Sequence, residues 1–372
     1  EYPPMNYMMM MRGQQPEPRF KGEETLSSAL LEIADPKKPK VYFTKGHGEL
    51  DTESFREDGL AELVKLLKRG NYEVETVDLL QTGEVPDDCA VLVIASPEKP
   101  FEDKEIQSLR AYLQREEPRA GKLMLMTKPI AAGGAIAGLR ELLQEYNVRV
   151  RDNLLVVQEA MDLFSGRRVA HLSVSVSDWG KHTITKDLQN ERGTFYLACP
   201  VQADMPAPPQ GYGRQPQEQP WLVTPIATCG RSTWGETSTP KGGRITAEYD
   251  PHEEERGPFT LAVAVESQPR QPGMPPDPTP GSGARLVVIG DATSAVNAYI
   301  SGARQANQGF ILGAINWLAE REYGVGIPPK LFKRRPLTVT PVAGKTVRAV
   351  CWFGLPVLVI LVGGIVLWWR RH

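Results

Sequence analysis

The sequence predicts an α/β domain with a largely parallel sheet, attached to a membrane helix near its C-terminal end. Strand-like and helix-like segments alternate from residue 40 to about residue 150, which is the pattern of βαβ units whose helices cover both faces of a parallel sheet. A late strand and helix, at 285–291 and 307–320, repeat the pattern and are expected to rejoin that sheet. The twenty residues 350–369 carry no charge and are long enough to cross a bilayer.

Hydrophobic periodicity defines the elements of the α/β domain. Leu60, Leu63, Val64 and Leu67 recur at the spacing of one helical face. The run at 90–96 is almost wholly apolar, which is typical of a strand buried on both faces of a parallel sheet. The strands of the sheet are therefore expected near 40–44, 74–79, 90–95, 122–127 and 285–290.

Strand patterns dominate after residue 150, and they predict a β-rich insertion between about 160 and 284. Two proline-rich stretches interrupt it, at 205–220 and 268–283, and proline is incompatible with a regular ladder. The expected domain organisation follows from these boundaries: an N-terminal arm with a short helix at 1–38, the α/β domain at 39–323, a basic stalk at 324–347 and the membrane helix at 348–371.

The membrane helix is predicted from its flanks as well as its length. Trp352 lies near one end and Trp368 near the other, with Arg348 and Arg370 outside them, as expected of residues at the two membrane interfaces. The chain begins with Glu1 and without a signal-like apolar stretch. We therefore expect an upstream signal or first membrane span that is not part of this sequence.

Composition argues against several classes of function. The formal net charge of −2 gives no electrostatic reason to expect a nucleic-acid partner. Cysteine and histidine residues lie far apart in the sequence, which predicts neither a disulfide scaffold nor a metal site, and no cofactor is indicated. There is no Walker A motif, so the chain is not expected to hydrolyse ATP itself.

The strongest candidate site is Gly46-His47-Gly48-Glu49, directly after the first strand. The glycines permit a tight turn with the backbone close to a ligand, and His47 and Glu49 are a possible acid and base. Loops at the carboxyl ends of parallel strands are the usual ligand sites of such sheets. The alternative is a structural turn in which His47 and Glu49 satisfy neighbouring backbone groups.

Asp291 is a second candidate, because it ends the late strand in the sequence Gly290-Asp291. Its carboxylate has two possible roles, binding a cation or capping the following turn. Ser96 ends the central strand, where a nucleophile would lie, but Pro97 follows it and no G-x-S-x-G motif surrounds it. Ser96 is therefore not predicted to be catalytic.

Several segments match a known family in order as well as in kind. They are KVYFTKGHGE (40–49), SPEKPFEDKEIQSLRAYLQ (96–114), WGKHTITKDL (179–188), STWGE (232–236), VVIGDATSAVN (287–297) and NQGFILGAINWLAERE (307–322). Together they resemble the gliding-motility-type auxiliary proteins of bacterial ABC transporters (GldG-like). The resemblance covers nearly all of residues 20–371.

This resemblance implies a flavodoxin or class I glutamine amidotransferase-like fold with three layers, without catalytic activity. It also implies an extracytoplasmic domain that associates with a membrane permease and a separate ATPase. The sequence departs from the family in two respects: the first membrane span is absent, and Lys128-Pro129 stands where the family tends to have Asp-Pro. The second departure weakens the case for an acidic ligand site at that strand end.

The expected function is therefore that of a non-catalytic, membrane-anchored accessory subunit of an ABC transporter, which binds a partner or ligand through Gly46–Glu49 and Asp291. Two alternatives remain open: a hydrolase or amidotransferase-like enzyme that uses the Gly46–Glu49 loop, and a membrane-bound scaffold or filament component. Either a homo-oligomer or a hetero-oligomer is compatible with the sequence.

Orientation in the membrane is predicted from two conflicting signals. Basic residues near the span number six on its N-terminal side and two on its C-terminal side, which favours a cytoplasmic domain by the positive-inside rule. Large domains translocate largely regardless of charge, and an upstream signal would set the orientation first. We therefore expect the cell inner membrane as the location, with the domain outside the cytoplasm and the basic stalk touching membrane lipid.

Overall fold

The computed structural model describes most of the predicted α/β domain and three residues of the C-terminal tail. The described residues are 38–116, 119–129, 136–161, 168–204, 221–237, 249–268, 283–300 and 305–321, together with Val366, Trp369 and Arg370. Those up to 321 belong to one compact unit, and the three tail residues, which are helical, belong to a second.

The described segments contain fifteen strands and six α-helices. The strands are β1 (Lys40–Thr44), β2 (Glu73–Val77), β3 (Cys89–Ala95), β4 (Lys122–Met126), β5 (Val148–Val150), β6 (Leu155–Met161), β7 (Arg168–His171), β8 (Ser173–Trp179), β9 (Gly193–Tyr196), β10 (Val201–Ala203), β11 (Trp221–Cys229), β12 (Thr233–Glu236), β13 (Glu255–Arg256), β14 (Thr260–Ser267) and β15 (Arg285–Ile289). The helices are α1 (Ala61–Arg69), α2 (Leu79–Thr82), α3 (Asp103–Leu113), α4 (Ala137–Glu145), α5 (Asn297–Ile300) and α6 (Gln305–Leu318), with 3₁₀ helices at Thr183–Leu188 and Thr293–Ala295.

One mixed sheet of nine strands runs through the domain in the order β2-β1-β3-β4-β15-β14-β11-β8-β9. The first five strands are parallel to one another. All five predicted strands are present, with ends that differ from the prediction by no more than two residues. The late strand rejoins the sheet as expected, because β15 pairs with β4 from Arg285↔Lys122 to Ile289↔Met126.

The β-rich middle of the chain differs from the expected insertion. Strands β14, β11, β8 and β9 continue the main sheet beyond β15 in antiparallel pairs, so the sheet is mixed rather than largely parallel. The reason is visible in β14, where Leu261, Val263 and Val265 are fully buried together with the alanines between them. A strand with two buried faces belongs in the middle of a sheet. Smaller sheets, β13-β12-β6-β7 and β10-β5, complete the strand pairing.

Helices cover the parallel half of the sheet on both faces, as predicted. Alternate strand residues such as Val41 and Val93 pack with Leu63 of α1 and Phe310 of α6 in one apolar cluster. The residues between them, such as Leu92, pack with side chains of α3 and α4 in a second cluster. Successive strand residues face opposite sides, so the sheet separates two cores and the domain has three layers.

No helix among the described residues is long and apolar enough to cross a membrane. The predicted membrane helix at 348–371 lies outside the described residues, apart from Val366, Trp369 and Arg370. The predicted arm at 1–38, except for Lys38, and the stalk at 324–347 also lie outside them.

Candidate functional site

Both sequence-predicted motifs lie at the carboxyl ends of the parallel strands. Gly46–Glu49 follows β1, and Asp291 follows β15 after Gly290. The backbone ties neighbouring strand ends together there: Leu50 N–H donates to Ala95 O at 3.0 Å, and Thr127 N–H donates to Ile289 O at 2.9 Å. We call this edge of the sheet the strand-end surface, formed by residues 45–60, 96–102, 127–129 and 290–298.

The turn after β1 depends on its two glycines. Gly46 and Gly48 have φ values of +116° and +76°, a region that residues with a Cβ rarely adopt. A Cβ on Gly48 would also lie 3.1 Å from Cβ of Glu98. The two glycines therefore form the tight turn that the sequence predicts.

His47 lies inside this turn and not on its surface, with 7% of the residue exposed. Its ring stacks on Phe101 at a centroid distance of 4.0 Å, and Nε2 lies 3.0 Å from Oε2 of Glu105 in α3. Its carbonyl oxygen accepts hydrogen bonds from the N–H groups of Glu98 and Lys99 at 2.8 and 3.0 Å. His47 therefore joins the loop after β1 to the loop between β3 and α3.

Glu49 contacts His47 on the side of the ring opposite Glu105. One of its carboxylate oxygens accepts a hydrogen bond from the backbone N–H of His47 at 2.7 Å, and the other lies 3.5 Å from Nδ1 of that ring. His47 Nδ1, Glu49 Oε1 and Glu105 Oε1 are buried and have no hydrogen bond within the described part of the chain. His47 is thus a buried imidazole between two carboxylates, but no cluster of described His, Cys, Asp or Glu residues is arranged to hold a metal ion.

Asp291 is fully buried and caps the 3₁₀ helix that follows. Oδ1 accepts hydrogen bonds from the N–H and hydroxyl of Thr293, at 3.0 and 2.6 Å, and Oδ2 accepts one from Ser294 N–H at 2.8 Å. Burial raises the pKa of Asp291, and the hydrogen bonds from Thr293 and Ser294 oppose that shift. These contacts correspond to the capping role that the sequence left open.

Asn297 is the residue of this surface that sequence reasoning did not single out. Its side chain is buried and donates hydrogen bonds to the carbonyl oxygens of Ser54 and Arg56 at 2.8 and 2.6 Å. Its Oδ1 accepts one from Glu62 N–H at 2.8 Å, and its own N–H donates to Gly59 O at 2.9 Å. The residue could have been found from the segment VVIGDATSAVN, which is one of the segments that carry the family resemblance and which ends on Asn297.

Asn297 thereby fixes residues 51–58, which we call the acidic loop. The loop reads DTESFRED, and its four carboxylates outnumber its one guanidinium. All four carboxylate residues are exposed. The segment that contains Asp291 thus meets the segment that follows Glu49, so the two predicted motifs adjoin the same loop.

Neither Ser96 at this surface nor the described cysteines elsewhere in the domain are suited to act as nucleophiles. Ser96 has a φ of +56° directly after β3, a strained conformation for a residue with a Cβ. Its hydroxyl is nevertheless buried, without a hydrogen-bond partner in the described residues. Burial also raises the pKa of Cys89 to about 12 and the pKa values of Cys199 and Cys229 in the same direction, so their thiolates are disfavoured.

A separate cavity of about 1180 Å³ lies between α6 and the 3₁₀ helix Thr183–Leu188. Gly313 permits the close approach of the two elements, because a Cβ there would lie 2.8 Å from Ile184 O. His182 caps the 3₁₀ helix by accepting a hydrogen bond from Ile184 N–H at 3.2 Å, and it contacts the edge of Trp317. Burial, and secondarily the charge of Arg285, lowers the pKa of His182 to about 4. None of the residues that line this cavity belongs to either predicted motif.

Comparison with known proteins includes a match to a family model over most of the chain. Residues 38–323 match the model of a family described as ABC-type uncharacterized transport system. Among solved structures, the chain is similar to the mmIFT52 N-terminal domain, with 15% sequence identity and a TM-score of 0.49, over 75% of this chain and 97% of that one. None of the curated proteins matches the chain.

Proposed function

Because this chain belongs to the ABC-type uncharacterized transport system family, we propose that it is a non-catalytic accessory subunit of an ABC transporter. Family membership implies association with an ABC transport system. We further propose that the strand-end surface is the part of the domain that contacts the partner. We also propose that the chain is of the gliding-motility type and that its domain has a class I glutamine amidotransferase-like fold.

A binding role is supported by the buried polar side chains that hold the loops of the strand-end surface in place. His47, Asp291 and Asn297 are each buried and each hold a loop in place. A catalytic acid or base has to reach a substrate, whereas these groups are turned into the protein. Their arrangement supports a preformed contact surface, since a surface that is already ordered loses less conformational entropy on binding.

The alternative is a hydrolase, and Ser96 is the observation in its favour. Its positive φ directly after a central strand is the kind of strain that functional residues can have. Activation of a serine needs a base within hydrogen-bond reach, and the buried hydroxyl of Ser96 has none among the described residues. Ser96→Ala tests this alternative: a hydrolase would lose its activity, whereas an accessory subunit would retain transport.

We further propose that residues 348–371 anchor the chain in the inner membrane, with residues 1–348 outside the cytoplasm. The charge-free length, the terminal tryptophans and the flanking arginines support the anchor. Protease added to intact spheroplasts should digest the domain and leave a short membrane fragment. Digestion that requires lysis would reverse the proposed orientation.

Co-purification tests the function itself. The full chain with a C-terminal tag is expressed in its native cells, extracted from membranes in mild detergent and analysed by mass spectrometry. Recovery of a permease and an ATPase of one transport system is the expected result. Recovery of neither subunit, from a preparation in which the tagged chain is folded, would contradict the proposal.

A further inference from the structure

Phe55 is the most exposed large apolar side chain among the described residues of 38–321. It lies at the centre of the acidic loop, and 76% of its surface is accessible, compared with 58% for Leu80 and 39% for Leu222. A single exposed apolar residue is ordinary on a protein surface. Phe55 is unusual because of the loop that holds it and the charges that surround it.

The acidic loop is held rigidly on both sides of Phe55. Asn297 Nδ2 binds the carbonyl oxygens of Ser54 and Arg56, which are the residues immediately before and after it. The backbone N–H of Ala298 donates to Glu57 O at 3.1 Å. At the end of the loop, a Cβ on Gly59 would overlap the carbonyl oxygen of Ser54. The aromatic ring is therefore presented from a fixed backbone.

The charges around Phe55 are predominantly negative. Asp51, Glu53, Glu57 and Asp58 are exposed, and Arg56 lies 3.6 Å from the carboxylate of Asp58. The formal charge of the loop is therefore −3. Anionic lipid headgroups would repel such a loop, so a membrane surface does not fit it. Complementary charge on a partner protein would instead steer association and fix the register of docking.

We propose that the acidic loop is a protein-docking element, in which Phe55 enters an apolar pocket bordered by lysine and arginine residues of a partner subunit. Aromatic side chains are frequent among the few residues that dominate the affinity of an interface. Fixing the loop in advance lowers the entropic cost of binding. This inference rests on the proposed function only in naming that partner as a subunit of the transport system.

Photo-crosslinking in cells tests the contact directly. Phe55 of the full chain is replaced by p-benzoylphenylalanine, and Leu222, an exposed apolar residue in the antiparallel half of the sheet, is replaced in the same way as the control. We expect a crosslink from position 55, but not from position 222, to a site beside basic residues on the extracytoplasmic side of the permease. A crosslink to lipid, equal crosslinking from both positions, or no crosslink from position 55 would overturn the inference.

Substitutions separate the docking inference from the proposed function. Phe55→Ala should reduce recovery of the partner at least tenfold, and a Glu53→Lys/Glu57→Lys variant should reduce it further at low salt, while Leu222→Ala leaves it unchanged. Unchanged recovery with Phe55→Ala would overturn the docking element and leave the accessory function intact. If position 55 crosslinks instead to a basic pocket on a protein outside the transport system, and Glu53→Lys/Glu57→Lys in the same chain abolishes that crosslink, the docking element stands and the proposed function fails.

Discussion

The side chain of Asn297 donates a hydrogen bond to the carbonyl oxygen of Ser54 across a separation of 243 residues. A second donor hydrogen of the same amide binds Arg56 O, and its oxygen accepts from the first turn of α1. One buried side chain therefore connects the segment after β15 with both the acidic loop and the start of the neighbouring helix. The position of the loop therefore depends in part on a residue that is distant from it in the sequence.

We expect Asn297→Ala to lower the free energy of unfolding by about 2–3 kcal/mol, because buried backbone groups lose their hydrogen-bond partners. The acidic loop should also become sensitive to trypsin at Arg56. Urea denaturation and limited proteolysis measure the two effects. Asn190→Ala, at an exposed position, is the control and should change neither. Proteolysis at Arg56 that is unaltered in Asn297→Ala would contradict the role assigned to Asn297.

His47→Ala should destabilise the domain by about 2 kcal/mol, because the buried carboxylate of Glu105 loses the imidazole and keeps only the hydrogen bond from Glu102 N–H. Adding Glu105→Gln should recover part of the loss, since the neutral amide has a smaller desolvation cost than the charged group. A double-mutant cycle measured by chemical denaturation gives the coupling between the two residues. A loss of partner binding in His47→Ala without any loss of stability would instead identify His47 as a contact residue.

Alanine substitutions at three glycines distinguish the cost of a positive φ from the cost of a crowded Cβ. Gly48→Ala combines a positive φ with a close Cβ contact, Gly83→Ala has a positive φ of +73° in open space, and Gly230→Ala has open space without a positive φ. We expect losses of stability of about 2, 1 and 0 kcal/mol, respectively. Thermal denaturation of the three variants checks this order. A loss in Gly230→Ala as large as that in Gly48→Ala would contradict the explanation.

Acidification should destabilise the domain in part through His182. Its pKa is about 4 in the folded chain, compared with an ordinary value of 6.5, so between these values the unfolded chain binds a proton that the folded chain does not. The free energy of unfolding therefore falls as the pH is lowered from about 6.5 to 4, by up to about 2 kcal/mol for this partly exposed ring. His182→Asn keeps a side chain suited to the cap and should remove this component in urea titrations at several pH values. An unchanged pH dependence in that variant would contradict the assignment.

The elements of the parallel half could be predicted because each is encoded locally. A continuous apolar run identified β3, and helical periodicity identified α1 without any knowledge of their partners. The positions of the antiparallel strands could not be predicted. An apolar pattern indicates that a segment such as β14 is a buried strand, but it does not indicate which strand it pairs with.

The turn at Gly46–Glu49 could be predicted, but the contacts of its side chains could not. The glycines and polar residues of Gly46–Glu49 indicated a tight turn at a strand end, which the structure contains. The partner of His47 is Glu105, 58 residues away, and no local spacing indicates that contact. The same holds for Asn297, whose importance follows from a loop that lies near the opposite end of the sequence.

The order of the strands also bears on how the protein is made. The last strand of the main sheet to leave the ribosome, β15, lies between β4 and β14. Until residue 289 has been synthesised, both of these strands have an unpaired edge, and exposed edges are templates for aggregation. The contacts that complete the sheet are long-range and form slowly. We therefore expect chains truncated before residue 285 to remain bound to chaperones, and we expect release only of chains that contain β15.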